Sequence, residues 1–152
     1  MAISENYTVE NLSFPSKLMG CAEEELCNKI IKFNTDHEMD IHAYAKCCKG
    51  NLCNENIPYS FPPKCKLNGK YCESCFAKNT KGECVSSKKI ECRGNQHKCH
   101  SYAGTVERPD LSVMDYSVKG CMSDLGCIMK FGSLIGVKQL EERVFKCSEA
   151  LD

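Results

Sequence analysis

The sequence predicts a small all-β, disulfide-rich fold made of two tandem modules, the first of them incomplete. Three observations lead to this prediction: 14 cysteines among 152 residues, short strand-like segments between turn residues, and an internal repeat of cysteine positions. Cysteine at this density is typical of a scaffold held by disulfides. The count is even, as a fully paired extracellular chain requires.

The composition explains why such a chain needs cross-links. The apolar share of 42% includes the cysteines, and the sequence contains no Trp. Each disulfide stabilises a small domain by about 2–4 kcal/mol, because it restricts the unfolded chain. We therefore expect cystines to compensate for a thin apolar core.

Charge argues against one class of function. Twenty basic residues balance 20 acidic ones, so the basic footprint of a nucleic-acid-binding protein is missing. The longest apolar stretch, from Cys127 to Val137, contains Lys130 and falls short of the ~20 residues that a membrane span needs.

The internal repeat organises the chain. Three cysteines recur 100 positions later (121 − 21, 127 − 27 and 147 − 47), and the first pair is preceded by glycine in both copies: Gly20-Cys21 and Gly120-Cys121, Cys27 and Cys127, Cys47 and Cys147. Five cysteines of the second copy precede Cys121 by enough that their counterparts would lie before residue 1. We therefore predict the C-terminal half of a first module over residues 1–57 and a second module over residues 71–152.

The segment between the modules, residues 58–70, is predicted to be a linker, because it contains the breakers Pro58, Pro62, Pro63 and Asn68-Gly69. In the second module, strands are predicted over Lys88–Glu91, His100–Val106 and Met114–Lys119. The apolar spacing between Val137 and Phe145 also fits a helix. The repeat, together with the resemblance described next, favours a strand there.

Two cysteine clusters resemble those of the Ly6/uPAR three-finger superfamily. The first is Cys47-Cys48-Lys49-Gly50-Asn51-Leu52-Cys53-Asn54, which resembles the closing signature of these domains. The second is Cys72-x2-Cys75-x8-Cys84-x7-Cys92-x6-Cys99 followed by Lys119-Gly120-Cys121. This spacing is similar to that of the second module of gamma-type phospholipase A2 inhibitors, which are secreted two-module proteins. The resemblance covers nearly all of the chain after Leu18.

The resemblance implies a disulfide pairing that the sequence alone cannot choose. The implied pairs are Cys27–Cys47, Cys48–Cys53, Cys72–Cys99, Cys75–Cys84, Cys92–Cys121 and Cys127–Cys147. Cys21 and Cys65 remain unassigned: they either pair with each other or are free thiols that favour bonding between chains. A homo-oligomer is therefore one expectation.

The resemblance also implies a function: a secreted, non-enzymatic binding protein that blocks a secreted phospholipase A2 sterically, without a cofactor or metal. One alternative is a receptor-like or signalling Ly6/uPAR module with another extracellular protein ligand. A second alternative, from a different class, is a zinc or thiol-redox protein.

Chemical alternatives fit the residues less well. The Cys47–Asn54 cluster differs from the Cys-Cys-x-x-His-Asp-x-Cys signature of the phospholipase itself, since Asn51 and Leu52 offer no general base. Cys72-x2-Cys75 has zinc-ligand spacing, but a second matched pair is missing. Glu73 lies between these two cysteines and disfavours a reactive thiolate. The four histidines, His37, His42, His97 and His100, form no usable spacing; we expect the first two to be solvated and the last two to lie at a strand edge.

The predicted partner contact lies in the linker. Tyr59, Phe61, Pro62 and Pro63 combine aromatic anchors with a pre-extended backbone, which loses less entropy on binding. The alternative without a partner is a stiff spacer. The acidic run Glu23–Glu25 is expected to be solvated.

Two sequons indicate passage through the secretory route: Asn6-Tyr7-Thr8 and Asn11-Leu12-Ser13. The segment from Met1 to Asn6 lacks the basic start and the apolar stretch of a signal peptide. From these observations we expect an N-terminally truncated form, and we expect an unpaired strand edge in its first module.

Overall fold

A computed structural model describes residues 1–21, 23–58, 65–86 and 88–152. These residues form nine strands, one short helix and two 3₁₀ turns, Glu24–Leu26 and Phe131–Ser133. The strands are β1 (Ala2–Val9), β2 (Leu12–Met19), β3 (Ile30–Asn34), β4 (Met39–Lys46), β5 (Leu67–Lys78), β6 (Lys88–Arg93), β7 (Lys98–Glu107), β8 (Val113–Met122) and β9 (Lys138–Glu149), and helix α1 spans Asp124–Met129. The all-β, disulfide-rich prediction is confirmed. β9 is a strand rather than a helix.

All strand pairs are antiparallel, and the nine strands of the described residues join in one sheet. The first repeat unit, β1 to β4, has the order β2-β1-β4-β3, and the second, β5 to β9, has the hairpin β7–β8 at its centre with β9 beside β7. Two strands share the other edge of β8: β5 pairs with its middle, from Tyr116 to Lys119, and β3 with its end, at Cys121 and Met122. The edge of the first unit at β3 is therefore paired.

The 100-residue repeat is visible in the strands. Shifting β2 and β4 by 100 gives residues 112–119 and 139–146, which fall on β8 and β9, and β1 falls on β7 in the same way. Corresponding cystines also occur in each unit, Cys27–Cys47 in the first and Cys127–Cys147 in the second. The boundary between the units stays a prediction, although β5 begins at Leu67, inside the range 58–70.

Alternation of side chains explains how the strands bury one face. In β4, Met39, Ile41, Ala43 and Ala45 are buried, while the residues between them are partly exposed. β1 and β2 are joined by a two-residue turn at Glu10 and Asn11, both with positive φ. This is the combination that a type I′ hairpin turn requires.

One apolar core lies between the two repeat units. From the first unit it receives Tyr7, Val9, Phe33, Met39 and Ile41, and from the second unit Tyr102, Val106, Tyr116, Val118, Met122, Phe131, Leu134 and Val137. Phe33 and Phe131 have ring centroids 4.3 Å apart, so the aromatic contact crosses directly between the units. The composition predicts a thin apolar core, and the two units compensate for this by contributing side chains to one shared core.

Polar contacts also join the units. Ser123, the N-cap of α1, donates its backbone N–H to the carbonyl of Lys32 (2.8 Å), and its hydroxyl accepts from the Lys32 N–H (3.1 Å). The carboxylate of buried Glu5 accepts from the N–H groups of Ile135 (2.8 Å) and Gly136 (2.9 Å). Loss of solvent raises the pKa of Glu5, and these two hydrogen bonds oppose the shift.

Candidate partner-binding surface

The predicted linker contact cannot be placed. Tyr59, Phe61, Pro62 and Pro63 lie outside the described residues. A different surface of the second unit is described in full, and it combines exposed apolar side chains with a fixed polar floor.

This surface surrounds a cleft of about 610 Å³ between β5 and the outer face of the β7–β8–β9 sheet. We call it the hairpin cleft, and its lining is Glu73, Glu83, Cys99, His100, Ser101, Lys119, Lys146, Cys147, Ser148, Glu149 and Leu151. Ser101, Lys119 and Lys146 stand side by side because they are register partners on the three strands. The cleft therefore follows from strand register as much as from loop shape.

Glu83 organises the floor of the hairpin cleft. Its carboxylate accepts from Lys146 Nζ (2.5 Å) and Ser101 Oγ (2.9 Å), and Lys119 Nζ lies 3.9 Å away. The hydrogen bond from Lys146 and the one from Ser101 lower the pKa of Glu83. The floor is thus an ordered polar network that bridges the loop before β6 to three strands.

The rim of the hairpin cleft is apolar and exposed. Tyr71 and Leu151 are 38% and 50% exposed, and each donates its backbone N–H to the other's carbonyl (2.8 and 2.9 Å). Lys70 forms an ion pair with Asp152 beside them. Exposed Tyr and Leu side chains on a fixed backbone suit protein binding, since little entropy is lost when they are covered.

Cystines hold both sides of the hairpin cleft. The described residues contain six disulfides, and they join the same pairs that the resemblance implies: Cys27–Cys47, Cys48–Cys53, Cys72–Cys99, Cys75–Cys84, Cys92–Cys121 and Cys127–Cys147. Three of them join β5 to β7, β5 to the loop at Cys84, and β6 to β8. Cross-links at this density restrict the unfolded chain and fix the position of the hairpin.

The cystines bear on the two chemical alternatives, a zinc site and a thiol-redox site, because both need free thiolates. The sulfurs of Cys72, Cys92 and Cys121 cluster within 4.8 Å of one another, and each belongs to a cystine. Only a thiolate serves as a zinc ligand or a nucleophile. In the oxidised protein these sulfurs are therefore structural.

Cys21 is an exposed free thiol in the described structure, and Cys65 is partly buried. Cys21 lies in a second cleft, of about 650 Å³, beside the Cys48–Cys53 loop. Glu23, Glu24 and Glu25 are exposed, in line with a solvated run. The homo-oligomer stays a prediction.

The histidines differ from the sequence prediction. His37 is solvated, with 87% of its side chain exposed and Asp36 at 3.3 Å, and His97 lies 3.3 Å from Asp124. His42, however, is partly buried, and burial lowers its pKa. The placement of His100 at a strand edge is wrong: its ring is 3% exposed and packs against Phe33 in the shared core.

One known domain family matches the chain over both repeat units. The profile described as "u-PAR/Ly-6 domain" matches residues 2–56 and 68–148, which is most of the chain. The chain belongs to the u-PAR/Ly-6 domain family. The resemblance read from the two cysteine clusters is thereby confirmed.

Curated relatives within this family carry a functional name. The chain is 25% identical over 146 residues to a phospholipase A2 inhibitor gamma subunit of Elaphe climacophora, and the alignment covers 93% of this chain and 68% of that protein. The same figures hold for a phospholipase A2 inhibitor gamma subunit of Elaphe quadrivirgata. A phospholipase A2 inhibitor of Lachesis muta muta is 29% identical over 117 residues, or 74% of this chain and 56% of that protein.

The sequence prediction missed the rim of the hairpin cleft. Tyr71 sits next to Cys72 and Leu151 next to Asp152, and neither position carries a periodic signal. The pairing of Tyr71 with Leu151 joins residues 80 positions apart (151 − 71), so it depends on tertiary structure. Among the described residues, no helix has the length and apolarity to cross a membrane.

Proposed function

We propose that this chain is an extracellular, non-enzymatic inhibitor of a secreted phospholipase A2. The observation that carries the proposal is the name shared by the curated relatives across 74–93% of this chain. The disulfide framework supports an extracellular location, because such cystines persist in oxidising compartments. Family membership and the relatives' names agree with a protein that performs no chemistry itself.

The proposed mechanism is steric blockade by a rigid surface. Tyr71 and Leu151 would insert at the contact, and the ordered floor around Glu83 would resist rearrangement. A phospholipase acts at a lipid surface, so a protein that covers its lipid-facing side stops catalysis without touching the catalytic groups. Surrounding charges, such as Lys70 and Asp152, would tune the association rate.

The experiment measures hydrolysis of phospholipid vesicles by purified secreted phospholipases with increasing amounts of the protein, with binding followed by calorimetry. We expect inhibition that saturates at a fixed ratio of protein to enzyme. Reduced and alkylated protein is the control, since it lacks the framework. A soluble monomeric phospholipid as substrate separates enzyme binding from simple removal of lipid.

Surface variants locate the contact. Tyr71→Ala and Leu151→Ala should each weaken binding about tenfold or more, as truncation of an interface anchor does. Leu111→Ala is the matched control, because Leu111 is 78% exposed at the tip of the β7–β8 hairpin. Loss of binding with Leu111→Ala alone would move the contact to that tip. No binding to any secreted phospholipase at micromolar concentration would contradict the proposal as a whole.

A further inference from the structure

The two sequons lie in different surroundings on the first unit. Asn11 is the second residue of the turn between β1 and β2, is exposed and has a φ of +67°. Within the described residues its side chain has no hydrogen-bond partner. Next to it, Leu12 is 47% exposed on the edge strand β2.

Asn6 sits instead in the middle of β1, the strand between β2 and β4, directly opposite Pro15 and His42. Both ends of its amide are engaged: Nδ2 donates to Thr8 Oγ1 (3.0 Å), and Oδ1 accepts from Ser13 Oγ (2.8 Å). A sugar on Nδ2 replaces one of its two N–H groups and has to stand on this face of the sheet beside Thr8 and Ser13, where Asn6 is only partly exposed. The folded sheet therefore disfavours a glycan at this position.

We propose that Asn11 carries an N-linked glycan and that Asn6 in the folded protein does not. In the transfer, Nδ2 of Asn11 forms a bond to the anomeric carbon of an oligosaccharide carried on a lipid diphosphate. The bond from that carbon to the diphosphate breaks, the diphospholipid leaves, and the amide loses one proton. Transfer precedes folding, but in the folded sheet only the Asn11 side chain is both exposed and without hydrogen bonds to the described residues, so a glycan there displaces no contact.

A glycan at Asn11 also has a physical benefit. It covers the exposed side chain of Leu12 and hinders access to the outer edge of β2, which pairs with no second strand among the described residues. That edge already carries Pro15, at a position where the missing N–H would point away from β1. Bulk beside an edge strand prevents pairing with another chain. The inference needs only passage through the secretory route and does not depend on the phospholipase proposal.

The experiment expresses the chain behind a secretion leader in cultured animal cells and maps protein from the medium. Peptide N-glycosidase in ¹⁸O-labelled water converts each glycosylated Asn to labelled Asp, which mass spectrometry assigns to a residue. We expect one glycan per chain, with the label at Asn11 only. Asn11→Gln should then migrate like the enzymatically deglycosylated protein.

Matched variants separate the two sequons. Asn79→Gln changes another exposed turn Asn, with a φ of +57° and no sequon, and should keep the glycan. Thr8→Ala removes only the Asn6 sequon and should also leave the glycan mass unchanged. If Asn11→Gln is not secreted, translation in vitro with microsomes gives the same readout. Label at Asn6, or an unmodified Asn11 in secreted protein, would overturn the inference.

Discussion

His100 shows how a single side chain makes the core sensitive to acid. Its ring lies 5.1 Å from that of Phe33 and 6.1 Å from that of Phe131, centroid to centroid. Neither ring nitrogen has a well-formed hydrogen bond within the described structure, and the nearby Gly120 backbone only partly opposes the effect of burial. Burial therefore lowers the pKa of His100 to about 4. Its register neighbours on β8 and β9 are uncharged (Gly120 and Cys147), while Lys119 and Lys146 belong to the opposite face.

The direction in which pH changes stability follows from the lower pKa of His100 in the folded chain than in the unfolded chain. Between pH 6.5, the ordinary pKa, and pH 4, the unfolded chain binds a proton at His100 that the folded chain does not bind. The free energy of unfolding should therefore fall by about 3 kcal/mol as the pH is lowered from 6.5 to 4. His100→Phe should remove this slope in denaturant titrations at several pH values, and His37→Ala should not. An unchanged slope in His100→Phe would show that His100 is not the group responsible.

The stability that Glu5 contributes depends on pH in the opposite direction. Because its folded pKa is raised, the stabilisation of its neutral form is present below the ordinary pKa of 4.5 and is lost as pH rises through the folded pKa. At neutral pH its main role is to accept the two N–H groups of Ile135 and Gly136. Glu5→Ala leaves both donors unpaired and should lower the free energy of unfolding by about 1–3 kcal/mol. Glu55→Ala, at an exposed site, is the control; equal stability of both variants would count against the role of Glu5.

At the scale of elements, the contact between β3 and β8 depends on a glycine. A Cβ on Gly120 would lie 2.0 Å from the carbonyl oxygen of Asn34, so the strands come together only because residue 120 has no side chain. The same position in the first unit, Gly20, has nothing within 4 Å of an added Cβ. The two copies of the repeat thus share a residue type whose structural role differs between them.

The repeat supplies its own control for this contact. Gly120→Ala should lower the free energy of unfolding by about 1–3 kcal/mol or more, because backbone has to move apart. Gly20→Ala should leave it within about 0.5 kcal/mol. Thermal unfolding of the two variants under oxidising conditions tests the pair. Equal effects would mean that β3 and β8 are not in contact in solution.

At the scale of the whole molecule, the units share a core, and this determines how the chain unfolds. Phe33 belongs to the first unit and Phe131 to the second, yet each is buried by the other. A unit that separates exposes its half of the core to water, which costs free energy in proportion to the apolar area. The two units should therefore unfold together.

Calorimetry tests this cooperativity. We expect one transition, with equal calorimetric and van't Hoff enthalpies. Phe33→Ala and Phe131→Ala should each shift that single transition, at a cost of about 3–5 kcal/mol. Two separate transitions, or a shift in only part of the signal, would show that the units are independent.

The sequence by itself determined the strand content of the second unit and the family, because cysteine spacing and turn residues are local signals. The cystine pairs followed from the family resemblance and not from the sequence alone. The strands predicted from Lys88, His100 and Met114 agree with β6, β7 and β8. Tertiary structure alone decided the burial of His100, the role of Glu5 and the rim formed by Tyr71 and Leu151. Each of these depends on contacts between residues far apart in the chain, and only the packing of one unit against the other, or of β5 against the C-terminal segment, brings them together.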